Sequence, residues 1–266
     1  MKGSQNEVLL LFDIGNTRIK WAFAHNKTIL VKDAFVFSPA GLSDCIRHVE
    51  LLLERFGLDG LTKVMISSVA GVEVLDGVRD SIKARWGLKA ETVKVEPSFR
   101  NIVNRYRRRD QLGVDRWVAV IGASQYEYEG AKIIVDVGTA VTVDYLSSSD
   151  EYLGGAILPG RDLIFSLLNL NTANIVSHQD KVTEFESFFG ATTSECINIG
   201  SHAGLNGAVA AIIEGMLEEM PEPTHVLLCG GGAESVDAYL KTIKYQHLLV
   251  VESKPDLILS GLIALS

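Results

Sequence analysis

Only three of the 266 residues are cysteine, and Cys45, Cys196 and Cys229 lie far apart in the chain. An odd, scattered set argues against a disulfide framework or a zinc site and fits thiols kept reduced. The six histidines fall at no metal-ligand spacing. The six prolines form no proline-rich linker, and no low-complexity stretch interrupts the chain. Any two domains are therefore expected to share an extensive interface rather than a tether. No aliphatic run approaches the ~20 residues of a membrane-spanning helix. The stretch 1–7 is polar and lacks the apolar core and cleavage site of a signal peptide. Positive charge is also scarce, with a net charge of −8 and a pI near 5.3, which argues against a generic nucleic-acid binder. The one dense basic run, Arg105-Tyr106-Arg107-Arg108-Arg109, reads as a solvated loop or as a wall that attracts anionic ligands. The expectation is a soluble cytoplasmic protein with neither nucleic acid nor membrane as partner.

What the chain does contain is one phrase written twice. The apolar run Val8 to Phe12 leads into Asp13-Ile14-Gly15-Asn16-Thr17, and Ile133-Ile134-Val135 leads into Asp136-Val137-Gly138-Thr139. After the first copy, Ile19 to Ala24, a turn at His25 to Lys27, and Thr28 to Val31 read as strand, turn, strand. After the second, Val141 to Leu146, a polar turn at Ser147 to Asp150, and Tyr152 to Ile157 read the same way. Helical spacing follows in each half, at Leu42, Ile46, Val49, Leu53 and Phe56, and at Ile197, Leu205, Val209, Ile212, Ile213 and Leu217. A later strand then ends in small residues, at Val69-Ala70-Gly71 and at Gly230-Gly231-Gly232. Two homologous α/β domains follow, with a boundary in the helical segment between Gly113 and Gly130, drawn at 1–115 and 116–266. The glycines at 200, 204 and 207 would let another helix approach theirs closely.

A carboxylate at a strand end, a glycine turn and a hydroxyl suit a phosphate and its counter-cation. Glycine lets backbone N–H groups approach the anion, and Lys20 lies within reach of it. Asp13 fits such a site only with Mg²⁺ between it and the phosphate, held directly or through water. One Asp-X-Gly alone is more often a capped turn, but the duplication and the added Asn-Thr favour phosphate. For the second copy the structural and functional readings stand level. The triple glycine leaves room for a flat adenine or ribose, or is an ordinary turn. In Leu112-Gly113-Val114-Asp115-Arg116-Trp117, spacing alone favours Asp115 as a helix N-cap. The functional alternative is a general base, with Arg116 gripping a substrate carboxylate. Gly154 to Gly160 reads as close backbone packing or a tight turn into a helix.

Taken in this order, Asp13-Ile14-Gly15-Asn16-Thr17, Leu112-Gly113-Val114-Asp115-Arg116-Trp117, Asp136-Val137-Gly138-Thr139-Ala140 and Gly154 to Gly160 resemble type III pantothenate kinases, from Leu9 to Leu262. The resemblance implies an α/β fold of two duplicated ribonuclease-H-like domains, the actin-like ATPase fold, with mixed sheets flanked by helices. It implies ATP-dependent phosphorylation of pantothenate, the first step of coenzyme A synthesis. By the same resemblance Asp13, Ile14, Gly15, Asn16, Thr17, Arg18, Ile19 and Lys20 form the first ATP-phosphate motif, and Thr139 contacts ATP. Tyr106, Gly113, Val114, Asp115, Arg116 and Thr193 take pantothenate, with Asp115 as general base. Asp136 would hold K⁺ or NH₄⁺, Asp13 would serve Mg²⁺, and the pocket would form in a homodimer. The chain departs from the family pattern at Arg109, where proline is common, and in Gly190-Ala191-Thr192-Thr193, where Gly-Arg-Asn-Thr is usual. Two rivals follow from the same residues: another phosphotransferase of the superfamily, and a regulator that keeps the fold without catalysis.

Overall fold

The computed structural model describes residues 7–171, 187–241 and 243–266; most of the polar N-terminal stretch falls outside them. In chain order the elements are β1 (Val8–Ile14), β2 (Ile19–His25), β3 (Thr28–Phe35), α1 (Pro39–Phe56), β4 (Lys63–Ser68), α2 (Val72–Trp86), β5 (Glu91–Thr92), β6 (Ser98–Phe99), β7 (Ile102–Asn104) and α3 (Val114–Ser124). There follow β8 (Ala131–Val137), β9 (Ala140–Leu146), β10 (Glu151–Pro159), α4 (Arg161–Asn171), α5 (Thr193–Glu219), β11 (Thr224–Cys229), α6 (Ala233–Leu240), β12 (Leu249–Ser253) and α7 (Leu257–Leu265).

The duplication is visible in the strand order. One sheet runs β3-β2-β1-β4-β5, and the other contains β10-β9-β8-β11-β12 with β7 added beside β10. In both, the first three strands are an antiparallel meander and the next two run parallel to the first. Asp13 and Asp136 are both the penultimate residue of the equivalent strand.

The described residues form two compact units. The first takes the residues through Phe99 with Arg107–Tyr126 and Asp256–Ser266; the second takes Arg100–Tyr106 and Glu127–Pro255. A cut at 115/116 would thus pass through α3, which lies whole in the first unit together with α7. The reason is close helix packing. A Cβ on Gly122 would stand 2.0 Å from the Leu257 carbonyl oxygen, and one on Gly261 would stand 2.1 Å from that of Val118. Only glycine lets the two helices meet backbone to backbone.

In the first unit Val8, Leu10, Phe12 and Ile14 share a core with Trp21, Phe23, Val64 and Ile66, covered by Leu42, Val49 and Leu53 of α1 and Val78 and Ile82 of α2. Leu9 and Leu11 are equally buried on the opposite face, where α7 packs on β1 and α3 on β4. A strand covered on both sides reads as a continuous apolar run rather than an alternating one, and Asp13 falls on the face of Leu9 and Leu11. The β2–β3 turn has Asn26 and Lys27 both at positive φ, 48° and 64°, the two-residue form that matches strand twist. Helix α1 begins where the Ser38 side chain accepts a bond from the Gly41 amide and Pro39 takes the first turn; it stops at left-handed Gly57.

In the second unit Ile133, Val135, Val143 and Tyr145 pack against Leu205, Val209, Ile213 and Leu217 of α5 and against Val226 and Leu228. Helix α5 is long and apolar enough, by length and composition only, to cross a membrane; its place in this core accounts for the apolar character. A Cβ on Gly200 or Gly204 would meet no atom within 4 Å, and one on Gly207 only the Tyr239 hydroxyl, at 3.6 Å. None of the three serves close helix contact among the described residues.

Candidate functional site

The first Asp-X-Gly turn lies at the carboxyl end of β1. Asp13 is only 7% exposed, and Lys20, its antiparallel register partner, brings Nζ to 3.8 Å from Oδ2. That is an ion pair, too long for a hydrogen bond. The turn closes when the Gly15 amide donates to the Arg18 carbonyl at 3.0 Å, an approach that leaves a Cβ on Gly15 only 3.3 Å from that oxygen. Asn16, Thr17 and Arg18 point to solvent. Ile14 and Ile19 belong to the core, so what they offer a ligand is backbone.

Asp115 does not cap its helix. Gly113 is the N-cap and makes no side-chain cap bond, and Asp115 is the second helical residue. The N-cap expectation is therefore corrected. The carboxylate folds back instead: Oδ1 accepts the Arg116 amide at 2.8 Å and would lie 2.5 Å from a Cβ on Gly113. Glycine at 113 leaves room for that carboxylate, and the first-turn amides and the helix dipole favour its charge. Arg116 is 5% exposed, a setting where bidentate bonds to a carboxylate are strong.

In the second unit Asp136 closes β8, paired with Thr142 of β9 and Cys229 of β11. Glycines press on this turn from two sides. Gly230, at φ +86°, would place a Cβ 2.5 Å from Asp136 Oδ1, and Gly160 would place one 2.2 Å from the Gly138 carbonyl oxygen. The Gly160 amide donates to Thr139 and the Gly232 amide to Val137, at 2.9 and 3.1 Å. The triple glycine therefore serves backbone approach at 230 and 232, and only Gly231 opens on free space. Ser235 ties the loop to α5 by donating to Gly232 O at 3.0 Å and to Asn206 Oδ1 at 3.3 Å.

Tyr106 stacks on Tyr152 with centroids 6.3 Å apart and planes 8° apart. Tyr152 is fixed by its hydroxyl bond to Asp144, 2.7 Å and buried, and a Cβ on Gly154, which sits at φ +105°, would stand 3.4 Å from the Tyr106 ring. Sequence reasoning singled out neither Tyr152 nor Asp144; an apolar-strand tyrosine carries no signal of its stacking partner. Thr193 is the first, exposed residue of α5, beside a capping box in which Thr192 and Glu195 satisfy each other's amides. The Thr-X-X-Glu spacing was the available signal for that cap. Two of the four arginines in the basic run are paired: Arg105 with Glu151, and Arg108 with Asp110 at 2.8 Å. That guanidinium holds the Asp110 carboxyl below its usual range.

The site residues thus divide, with Asp13 to Lys20 and Gly113 to Arg116 in the first unit, and Tyr106, Asp136, Thr139 and Thr193 in the second. Matching meanders, each with an Asp-X-Gly turn between its first two strands, define the actin-like ATPase fold. Solved structures share it: a putative Baf family transcriptional activator from Campylobacter jejuni (TM-score 0.54, 19% identity, covering 95% of this chain and 94% of that one), and a 2-hydroxyisocaproyl-CoA dehydratase activator from Clostridium difficile with bound ADPNP (TM-score 0.52, 13% identity, 97% and 92%). At these identities the likeness shows the fold alone. The sequence goes further. The family model for type III pantothenate kinase matches residues 9–215. The type III pantothenate kinase of Nitrosospira multiformis is 31% identical over 264 residues, 98% of this chain and 92% of the relative. The chain belongs to the type III pantothenate kinase family.

Proposed function

We propose that the chain transfers the γ-phosphoryl group of ATP to the primary hydroxyl of pantothenate, giving 4′-phosphopantothenate for coenzyme A synthesis. The observation that carries this is the family match over residues 9–215, within which Asp13, Asp115, Arg116 and Asp136 all stand in their motifs. Asp115 Oδ accepts the hydroxyl proton as that oxygen bonds to the γ-phosphorus and the bond to the β–γ bridging oxygen breaks, releasing ADP. Arg116, with Gly113 and Val114 shaping the turn, grips the pantothenate carboxylate; Tyr106 and Thr193 are assigned to substrate recognition as well. Gly15, Asn16, Thr17, Arg18 and Lys20, with backbone from Ile14 and Ile19, hold the phosphates, and Thr139 adds an ATP contact. Positioning supplies most of the acceleration, because the transition state is loose and its charge is spread over the phosphoryl oxygens.

The residues suit the ions such a reaction uses. Mg²⁺ keeps most of its waters and takes one or two carboxylates with the substrate phosphates, and the single, nearly buried carboxylate of Asp13 fits that need. When bound, Mg²⁺ would offset the charge developing on the phosphates. At the second turn, Asp136 Oδ1 and the Val137 carbonyl oxygen both lie close to Gly230. Oxygen ligands of that kind would suit K⁺ or NH₄⁺.

The two duplicated domains are assigned to the two compact units rather than to a cut at 115/116. A homodimer in the cytoplasm, without nucleic acid or membrane partner, completes the reading; reduced Cys45, Cys196 and Cys229 are consistent with that compartment. The test is an ATP-dependent pantothenate phosphorylation assay with Mg²⁺, run with and without K⁺. Turnover that requires K⁺ is expected. No turnover with every component present would favour a regulator that keeps the fold.

A further inference from the structure

Three side chains stand in a row across the carboxyl ends of neighbouring strands in the first unit. Asp13 of β1 faces Lys20 of β2 in the antiparallel pair and lies beside Ser67 of β4 in the parallel pair. Register partners project to the same side of a sheet, and the Lys20 ammonium, 3.8 Å from Asp13 Oδ2, marks which side that is. The lysine end of the row is open to solvent, while Ser67 is fully buried.

The Ser67 hydroxyl has no hydrogen-bond partner among the described residues. A buried hydroxyl left unbonded is costly, and alanine would fill the position without that cost. Its register partner on β1 is Asp13, whose carboxylate is an acceptor on the same side of the sheet. Its strand neighbour Ser68 offers an internal comparison: its hydroxyl is also buried and unbonded, but it faces the other side, beside Ile14. The duplication offers a second comparison, because Asp136 has Cys229 where Asp13 has Ser67. At this register position the strong donor is therefore present only beside Asp13; the hydroxyl beside Asp136, that of Thr142, lies on the other side, where Asp13 has Lys20.

We propose that Ser67 is a positioning residue for Asp13: its hydroxyl donates to the Asp13 carboxylate when that carboxylate turns from Lys20 toward the divalent cation of the metal–ATP complex. The inference rests on the reading that Asp13 serves Mg²⁺. Carboxylates that hold a metal are commonly oriented by such a second hydrogen bond, and its loss typically lowers metal affinity ~10–100-fold.

The test is a titration of Mn²⁺ into the full chain with ATP, followed by the paramagnetic signal of free Mn²⁺, for wild type, Ser67→Ala, Ser67→Cys, Ser67→Thr and Ser68→Ala. Ser67→Ala and Ser67→Cys are expected to weaken Mn²⁺ binding at least ~10-fold and to leave metal-free ATP binding unchanged. Ser67→Thr, which keeps the hydroxyl, and Ser68→Ala are expected to bind Mn²⁺ as wild type does. Wild-type Mn²⁺ affinity in folded Ser67→Ala or Ser67→Cys overturns the proposal, and so does equal weakening in Ser68→Ala. Should Ser67→Ala fail to fold, Ser67→Cys, of closely similar size, decides. Wild-type protein that binds Mn²⁺ with ATP but does not phosphorylate pantothenate sinks the substrate reading and leaves Ser67 judged by the titration. Wild-type protein without metal-dependent ATP binding overturns both.

Discussion

A Cβ on Gly230 would stand 2.5 Å from Asp136 Oδ1, so glycine at 230 is what allows the end of β11 to lie against that carboxylate. The same Cβ would meet the Val137 carbonyl oxygen at 2.5 Å, and the residue sits at φ +86°. Gly230→Ala should therefore cost about 1–3 kcal/mol of stability and raise the K⁺ concentration needed for half-maximal turnover. Urea unfolding and a K⁺ titration of activity check the two effects. Wild-type behaviour in both would mean that the turn relaxes freely.

Asp115→Asn keeps the shape of the side chain and the acceptor oxygen for the Arg116 amide, but removes the base. Pantothenate turnover should fall about 10²–10⁴-fold while calorimetry finds ATP binding essentially unchanged. Turnover close to wild type would take Asp115 out of the base role.

Adjacent threonines separate structure from recognition. Thr192→Ala removes the helix cap and should cost about 1 kcal/mol, seen as a lower melting temperature. Thr193→Ala, at an exposed first helical position, should leave melting unchanged and raise KM for pantothenate. The opposite pattern would assign recognition to Thr192.

Cys45 gives the alkaline limb of stability a specific contributor. Burial, with a smaller contribution from the Asp33 carboxylate, pushes its thiol up to about 12. Below the unfolded thiol's pKa both states carry the proton and the contribution is full. Above it the unfolded thiol ionises while the folded one does not, so stability falls by up to about 1.4 kcal/mol per pH unit until the folded thiol also ionises near 12. Cys45→Ala should make this fall shallower in unfolding titrations above about pH 9. In the native protein at neutral pH, a thiol reagent should modify exposed Cys196 well before buried Cys45 and Cys229.

The meanders were legible because strand signals and polar turns are local. His25 to Lys27 and Ser147 to Asp150 fall at the two turns, and the apolar spacing of α1 and α5 follows their buried faces, except that Phe56 at the end of α1 is exposed. The membership of α3 and α7 in one unit was not legible, since it depends on contacts between Gly122 and Leu257, far apart in sequence. The roles of Gly230 and Gly160 were hidden for the same reason: a glycine announces freedom, and only the fold shows which backbone comes close. Asp13 and Asp136 could be found as strand-end carboxylates, whereas Ser67 has no motif and becomes visible only once β4 is registered against β1.

The packing of α7 on α3 also bears on the order of synthesis. A chain leaving the ribosome can assemble Glu127–Pro255 with only the short segment Arg100–Tyr106 already made, but the first unit lacks α7 until Asp256–Ser266 emerge. Domains usually fold in the order they are made, N-terminal first; here the unit that begins first is completed last. A stalled or truncated chain would leave the side of α3 around Val118 and Gly122 without its partner helix, a natural surface for chaperones to hold until α7 is made.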